Sequence, residues 1–291
     1  NLTFCYLKYN ETDVPMYSFT LYEGTCDPKT DYTLYPGRYT YKYPVAGKPN
    51  SRVTLHSYDI DTRKTKDIVF NDERIEYIPR IAYAYRPERL MVTTLNRAQN
   101  RIEMYAVNPK STVAKSVYVD EASTGWIDPS AWENTKFYPD FFMITSEQSG
   151  YNHVYQYSYS GARMRQVTSG DFDVTAYYGC EPVSGVHYFQ STVSGAVNRV
   201  VSRVDAKGKV TDLGDMRGVS SASFSPDMAY MTLSYSNVTT PPVHTLCTSA
   251  GKEIRILEDN AGVRARYGNI PTKEFFTVAS DGYTLNGFVL K

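Results

Sequence analysis

The residues that could do chemistry are few, and their spacing argues against most of what they could do. Ser220 lies in Gly218-Val219-Ser220-Ser221-Ala222, the nearest approach in the chain to the Gly-x-Ser-x-Gly turn that exposes a nucleophilic serine. Alanine replaces the second glycine, and the segment begins an alternating strand pattern, so Ser220 reads as a strand residue. The four histidines, His56, His153, His187 and His244, each fall inside an alternating stretch, and no two have the i, i+4 spacing of a helical metal site. They read as hydrogen-bonded strand histidines rather than bases or ligands. Cys5, Cys26, Cys180 and Cys247 show no CxxC or metal-like spacing. They read as small buried thiols, with Cys5 and Cys26 the first pair to test for a disulfide because a hairpin could join them. The carboxylates of Asp72-Glu73 and Asp120-Glu121 read as solvated turns. No catalytic, metal-ligating or cofactor-binding residue is expected from this inventory.

What must position these side chains is a β framework. Lysine plus arginine and aspartate plus glutamate number 31 each, so the chain carries no electrostatic footprint for nucleic acid or an anionic membrane surface. Tyrosine occurs 27 times among frequent Thr, Val and Ser, the residues of pleated, half-buried surfaces. No stretch reaches the roughly 18 apolar residues of a membrane helix. Both Asn1 and Lys291 fall inside alternating patterns, so the sequence reads as a piece of a longer protein.

Strands are expected over 2–9, 16–22, 53–60, 65–70, 78–85, 90–95, 101–107 and 113–119, with turns at Asn10-Glu11-Thr12-Asp13, Asp61-Thr62-Arg63-Lys64 and Asn108-Pro109-Lys110. The stretch from Thr145 to Gly170 shows the unit most plainly: strand, turn at Gly150, strand from His153, turn at Ser160-Gly161, strand to Val167. It recurs. Asn152-His153-Val154-Tyr155 matches Asn198-Arg199-Val200-Val201, and Gly161, Gly208 and Gly251 keep register at shifts of 43 to 47 residues. An antiparallel unit of that length is the period of a propeller blade, whereas a β-sandwich has short strands that do not repeat in register. Ser225-Pro226-Asp227 suits the turn between a blade's first and second strands. Helix signals are nearly absent; Asp128-Pro129-Ser130-Ala131-Trp132 allows one turn at most.

Residues 23 to 50 break the rhythm with clustered Pro, Gly and Tyr. The stretch is too long for a hairpin loop and too aromatic for a disordered linker, so it is expected to pack on a domain or a second subunit.

Seven ordered stretches carry a family resemblance: Val14-Pro15-Met16-Tyr17, Lys42 to Asn50, Thr124-Gly125-Trp126, Ser146 to His153, Val167 to Val174, Tyr188 to Thr192, and Leu257-Glu258-Asp259-Asn260. The chain resembles the propeller region of the dipeptidyl peptidase IV family, within the prolyl oligopeptidase family of serine peptidases. Phe172 stands where relatives carry Trp. The resemblance implies an all-β fold, a partial β-propeller of about four to five four-stranded blades from an eight-bladed ring. It implies a propeller over 1–270 and, over 271–291, the first strands leading into an α/β-hydrolase domain that is absent here.

The same resemblance implies a parent enzyme that removes Xaa-Pro or Xaa-Ala dipeptides from N-termini, with the propeller gating and positioning peptide substrates. The positions matching the cavity rim of relatives are Trp126, Ile127 and Asp128, although the aromatic-Arg pair of the mammalian enzymes is missing. The family holds the substrate amine with two adjacent glutamates, and no Glu-Glu pair occurs in this sequence. An arm over about 23–44, bearing Tyr22, Tyr32, Tyr35, Tyr39 and Tyr41, would build a homodimer. Export to the periplasm or cell surface is implied too, and the sequons Asn1-Leu2-Thr3, Asn10-Glu11-Thr12 and Asn237-Val238-Thr239 would matter only in a eukaryotic secretory host. Two other readings stay open: a stand-alone propeller serving as a protein-interaction platform, and a related acyl-peptide or oligopeptide hydrolase. A propeller piece made alone is expected to self-associate, because opened blade edges are sticky.

Overall fold

A computed structural model describes residues 3–21, 37–268 and 271–291 of the chain. The repeating unit is a meandering antiparallel sheet. The first sheet is built from β1 (Thr3–Asn10), β4 (Arg52–Asp59) and β5 (Lys64–Ile68), paired in that order. A hairpin of β2 (Met16–Leu21) and β3 (Gly37–Lys42) is inserted between β1 and β4. The second sheet runs in sequence order through β6 (Ile75–Tyr83), β7 (Leu90–Asn96), β8 (Arg101–Val107) and β9 (Ala114–Glu121).

A single helical turn, α1 (Ser130–Glu133), precedes three further four-stranded sheets. They are β10 (Lys136–Phe137) to β13 (Arg163–Gln166) with β11 (Phe141–Ser146) and β12 (His153–Ser158) between; β14 (Val174–Glu181), β15 (Val186–Ser191), β16 (Val200–Val204) and β17 (Val210–Asp212); and β18 (Val219–Phe224), β19 (Tyr230–Ser236), β20 (Val243–Thr248) and β21 (Glu253–Glu258). A helix the sequence did not announce, α2 (Ala261–Tyr267), leads to a closing hairpin of β22 (Lys273–Ser280) and β23 (Tyr283–Leu290). Four consecutive four-stranded meanders and one three-stranded sheet make the chain a partial β-propeller, as expected.

Burial follows strand position within each sheet. The inner strands of the second and third sheets are the most buried: six of the seven residues of β7 are buried, and so are Met143, Ile144, Val154 and Tyr155 of β11 and β12. Outer strands such as β13 and β17 are short and polar, which suits an edge facing water. The chain forms two compact units, 1–119 with 123–126, and 120–122 with 127–291. In the first, Leu55 and Ile68 of the first sheet pack with Ile78, Leu90, Val92, Tyr105 and Val107 of the second. In the other, Met143, Val154 and Val167 meet Val174, Tyr177, Phe189 and Val204 of the following sheet.

The in-register glycines have a common cause. Gly161, Gly208 and Gly251 take φ of 95°, 89° and 90° at the last position of the third-to-fourth strand turn, a left-handed conformation that costs other residues energy. In each turn the opening side chain accepts the amide four residues on: Ser158 from Ala162 (3.2 Å), Asp205 from Lys209 (2.9 Å) and Thr248 from Lys252 (3.2 Å). The first unit uses turns one residue longer, with Arg63 (φ 56°) and Thr112 (φ 62°) in the left-handed position. That difference explains why glycine register was legible only from Gly161 onward.

Successive sheets of the second unit are also stitched by backbone. The Val174 amide donates to Asn152 O (2.8 Å) and Asn152 Nδ2 donates back to Val174 O (2.7 Å). One sheet later, the Arg199 amide donates to Gly218 O (2.9 Å), the Ser220 amide to Arg199 O (2.8 Å), and the Gly218 amide to Asn198 Oδ1 (3.0 Å). The matched Asn152 and Asn198 motifs therefore mark sheet-to-sheet joints.

Candidate functional site

The three positions matched to the cavity rim meet different fates. Trp126 is 69% exposed, so it is not sheet core, while Ile127 is buried. Asp128 precedes Pro129, the N-cap of α1, and builds the turn that enters it: its Oδ1 accepts the Ser130 amide at 2.8 Å and its carbonyl the Ala131 amide at 3.0 Å. The Ser130 hydrogen bonds hold the Asp128 carboxyl below the usual carboxylate range. Ala131 and Trp132 of α1 are buried, and Thr135 Oγ1 donates to Ala131 O at 3.1 Å. Asp128 thus fixes a turn.

Carboxylates assigned to solvated turns are paired instead. Asp120 lies in strand β9 and accepts Ser146 Oγ at 2.5 Å; Ser146 Oγ in turn accepts the Gln148 amide at 3.1 Å. Asp72 takes Arg74 through two bonds of 2.9 Å and Arg101 at 3.3 Å, and Arg101 also holds Glu103 at 2.7 Å. Hydrogen bonds from Arg74 first, and then the Arg101 charge, pull the Asp72 carboxyl down to about 2. Sequence spacing could not show this, because Asp72 and Arg101 are brought together by the β6–β9 meander. Glu73 remains exposed.

All four histidines have partners. His153 is buried in β12; its Nε2 faces the Gly170 carbonyl (3.0 Å), which can only accept, so that nitrogen carries the proton, and Nδ1 meets Thr168 Oγ1 (3.1 Å). Phe172 packs edge-on against the same ring at 5.2 Å. His187 Nδ1 meets the Tyr177 hydroxyl at 3.0 Å, and burial, with the Arg165 charge, pushes its imidazole down to about 4. His244 Nδ1 pairs with Ser234 Oγ at 2.6 Å. His56 bridges Asp67 and Thr54, at 2.9 and 2.8 Å. Ser220 is fully buried in β18, and its Oγ has no hydrogen-bond partner.

Tyr138 was missed in the sequence. Its hydroxyl accepts the Cys180 amide at 2.9 Å across the joint between the second unit's first two sheets, and its carbonyl accepts the Tyr159 hydroxyl at 2.7 Å. Burial pushes the pKa of the Tyr138 and Tyr177 hydroxyls and the Cys180 thiol upward, so all three stay protonated at neutral pH. A turn tyrosine carries no sequence signal for that role. Cys180 and Cys247 are buried free thiols and Cys5 a half-buried one; Cys26 lies outside the described residues. Among the described residues, no group of three or more His, Cys, Asp or Glu side chains is placed to hold a metal, and no helix is long and apolar enough to cross a membrane.

Of the arm residues, Tyr39 and Tyr41 lie in β3, whereas Tyr22, Tyr32 and Tyr35 lie outside the described residues. The hairpin carries a run of rings: Tyr17–Phe19 at 4.7 Å, Phe19–Tyr41 at 5.4 Å, Phe19–Tyr43 at 5.6 Å and Tyr39–Tyr41 at 4.9 Å. Tyr17, Phe19, Tyr39 and Tyr43 leave much of their surface exposed.

Known proteins match this chain along nearly its whole length. Residues 2–242 fit the family described as the dipeptidyl peptidase IV (DPP IV) N-terminal region. The Emericella nidulans protein named probable dipeptidyl-aminopeptidase B is 27% identical over 96% of this chain and 34% of its own length. The Neosartorya fischeri protein named probable dipeptidyl peptidase 4 is 26% identical over 97% of this chain and 38% of its own. The chain therefore spans somewhat over a third of the curated relatives it matches. Among solved structures, Porphyromonas gingivalis dipeptidyl peptidase 4 superimposes with a TM-score of 0.89 at 37% identity, over 99% of this chain and 40% of that one. A Bacteroides ovatus chain at 20% identity shares the fold, with a TM-score of 0.79 over 99% of this chain and 43% of its own. With its repeated four-stranded sheets and a family match covering residues 2–242, the chain belongs to the dipeptidyl peptidase IV N-terminal region family.

Proposed function

We propose that the chain is the non-catalytic propeller portion of a serine exopeptidase that removes Xaa-Pro and Xaa-Ala dipeptides from peptide N-termini. The observation that carries this reading is the 37% identity with P. gingivalis dipeptidyl peptidase 4 over 99% of the chain. The buried, unpartnered Ser220 and the engaged histidines support placing the peptidase chemistry elsewhere, on an α/β-hydrolase domain that residues 271–291 lead into. The propeller over 1–270 would then admit slender chain ends and position them. A rigid ring needs no reactive groups for that task. It needs stiff joints, and the paired hydrogen bonds at Asn152, one from its side chain, and the paired backbone bonds at Arg199 supply two.

The aromatic hairpin supports a homodimer, since tyrosine joins a large apolar body to a polar tip and is favoured at interfaces. Export to the periplasm or cell surface belongs to the same reading. A stand-alone interaction platform is the second reading, and the exposed rings of β2 and β3 are the observation in its favour.

The deciding experiment assays glycyl-prolyl-p-nitroanilide with this 291-residue chain and with the product of the full coding sequence. The longer protein is expected to release p-nitroaniline and the chain none. Release by the chain, or a coding sequence that stops at Lys291, overturns the peptidase reading. Solution mass with and without residues 24 to 40 tests the arm; an unchanged monomer in both cases removes the dimer.

A further inference from the structure

The seam between the β10–β13 and β14–β17 sheets encloses a polar cluster that the peptidase reading does not use: Tyr138, Tyr177, Cys180 and His187. We propose that this cluster is an acid-released latch, in which protonation of His187 parts the two sheets locally while the next seam of the same unit stays shut. Register places the latch. His187 on β15 stands opposite Cys180 on β14. Phe189, two residues on and so on the same face, packs with Tyr177 against Met143, Val154 and Val167 of the preceding sheet. The His187 ring is 3% exposed, and its Nδ1 lies 3.0 Å from the Tyr177 hydroxyl. Tyr138 reaches across from the preceding sheet, where its hydroxyl accepts the Cys180 amide at 2.9 Å.

The groups around the imidazole suit its neutral form. From β14 come the Tyr177 hydroxyl and the Cys180 thiol, and from the turn into β11 the Tyr138 hydroxyl, all kept protonated by burial. From β13 comes Arg165, whose charge opposes a second positive charge near it. On β16 the register partner is Val204, and the Asp205 carboxylate beyond it accepts the Lys207 and Lys209 amides, at 2.9 Å each. A hydroxyl donates or accepts, so Tyr177 serves either neutral tautomer. None of these groups offers the ring a carboxylate, and a buried, unpaired charge is unfavourable. Arg165 is also the strap of the seam: its Nη2 donates to Asp205 O at 2.9 Å, joining β13 to the turn after β16. An imidazolium beside that guanidinium repels it and loosens the strap.

The neighbouring seam is built alike, but its bridging groups do not titrate in acid. The Tyr178 hydroxyl accepts the Ala222 amide at 3.1 Å, as Tyr138 accepts that of Cys180, and Gln190 Nε2 donates to Ser220 O at 2.6 Å. His187 titrates at about 4 while its seam is shut and at its ordinary 6.5 once solvated, so the open form takes up the proton first as pH falls. Opening is rarest above pH 6.5 and grows by about a hundredfold by pH 4. A ring that positions peptide ends loses stiffness there in acid; that consequence rests on the peptidase reading, whereas the latch does not.

Amide hydrogen exchange of the full chain, normalised for the intrinsic effect of pH, reads the two seams separately through the Cys180 and Ala222 amides. Between pH 7 and pH 4 the Cys180 amide is expected to lose about a hundredfold of protection and the Ala222 amide under about threefold. H187Q is expected to hold Cys180 protection level over that range. Loss at both amides together overturns the latch, since it reports general acid unfolding. So does a Cys180 loss that persists in H187Q, or no loss in the parent. The His187 ring resonances give a check that needs no variant: a midpoint near 4 is expected, raised in R165M, and a parent midpoint at or above 6.5 overturns the proposal.

Discussion

Replacing Arg101 by Met removes the charge at the centre of a nearly dry cluster. Side-chain exposure is 11% for Arg101, 13% for Asp72 and 9% for Glu103. Asp72 keeps the two bonds from Arg74, so it loses little. Glu103 loses the guanidinium at 2.7 Å while staying buried, keeping only its hydrogen bond with Tyr105, and breaking a buried ion pair by removing one partner costs about 3–5 kcal/mol. The exposed pair of Arg52 and Asp13, at 78% and 53%, serves as the internal control; breaking it with R52M should cost under about 1 kcal/mol. Native-state hydrogen exchange reads the difference locally. A loss of about 3 kcal/mol lowers protection of the β7 and β8 amides by about a hundredfold. The double variant R101M/E103M, which removes both charges, should recover most of it, because apolar replacement of a buried pair is often neutral. A protection loss under about threefold in R101M would falsify the view that burial, rather than the number of ion pairs, decides the cost.

Two further perturbations test other parts of the framework. His187 titrates near 4 in the fold against 6.5 for a free histidine, so the unfolded chain takes up a proton first as pH falls. Stability contributed by neutral His187 should be full above pH 6.5 and decline toward pH 4; urea midpoints across that window should flatten in H187Q. Gly218 has φ 137°, and an added Cβ would sit 2.5 Å from the Ser236 carbonyl oxygen. G218A should therefore cost about 2 kcal/mol or more in thermal or denaturant unfolding, through strain at the joint with Arg199.

The sheet repeat was legible because three of its turns need the same backbone conformation. Gly161, Gly208 and Gly251 sit where a left-handed φ is required, and a conformational need writes itself into residue type. In the first unit the longer turns take Arg63 and Thr112 at that position, so the same architecture leaves no glycine trace there. Helix α2 escaped notice because it is seven residues long, has no buried residue and starts at Asn260 in a left-handed conformation without a side-chain cap. Local pattern carries little of such an element.

Sites were legible to a lesser degree. That Ser220 belongs to a strand followed from Ala222 and the alternation around it, and it lies buried in β18. That Asp72 pairs with Arg101, or that Tyr138 receives the Cys180 amide, could not be read, since those partners lie 29 and 42 residues apart. His56 shows the boundary most sharply. Its place in a strand was written in the alternation of β4, but Asp67 reached it only through the β4–β5 register, which brings a carboxylate and a hydroxyl to opposite ring nitrogens.

The sequence by itself determined most of the strands, their turns and, from Gly161 onward, the period, because backbone preference and side-chain alternation act over a few residues. Only the tertiary structure decided which charges lose water and which side chains meet. Desolvation and hydrogen-bond geometry depend on neighbours brought together by folding, and no local pattern of residues encodes that distance.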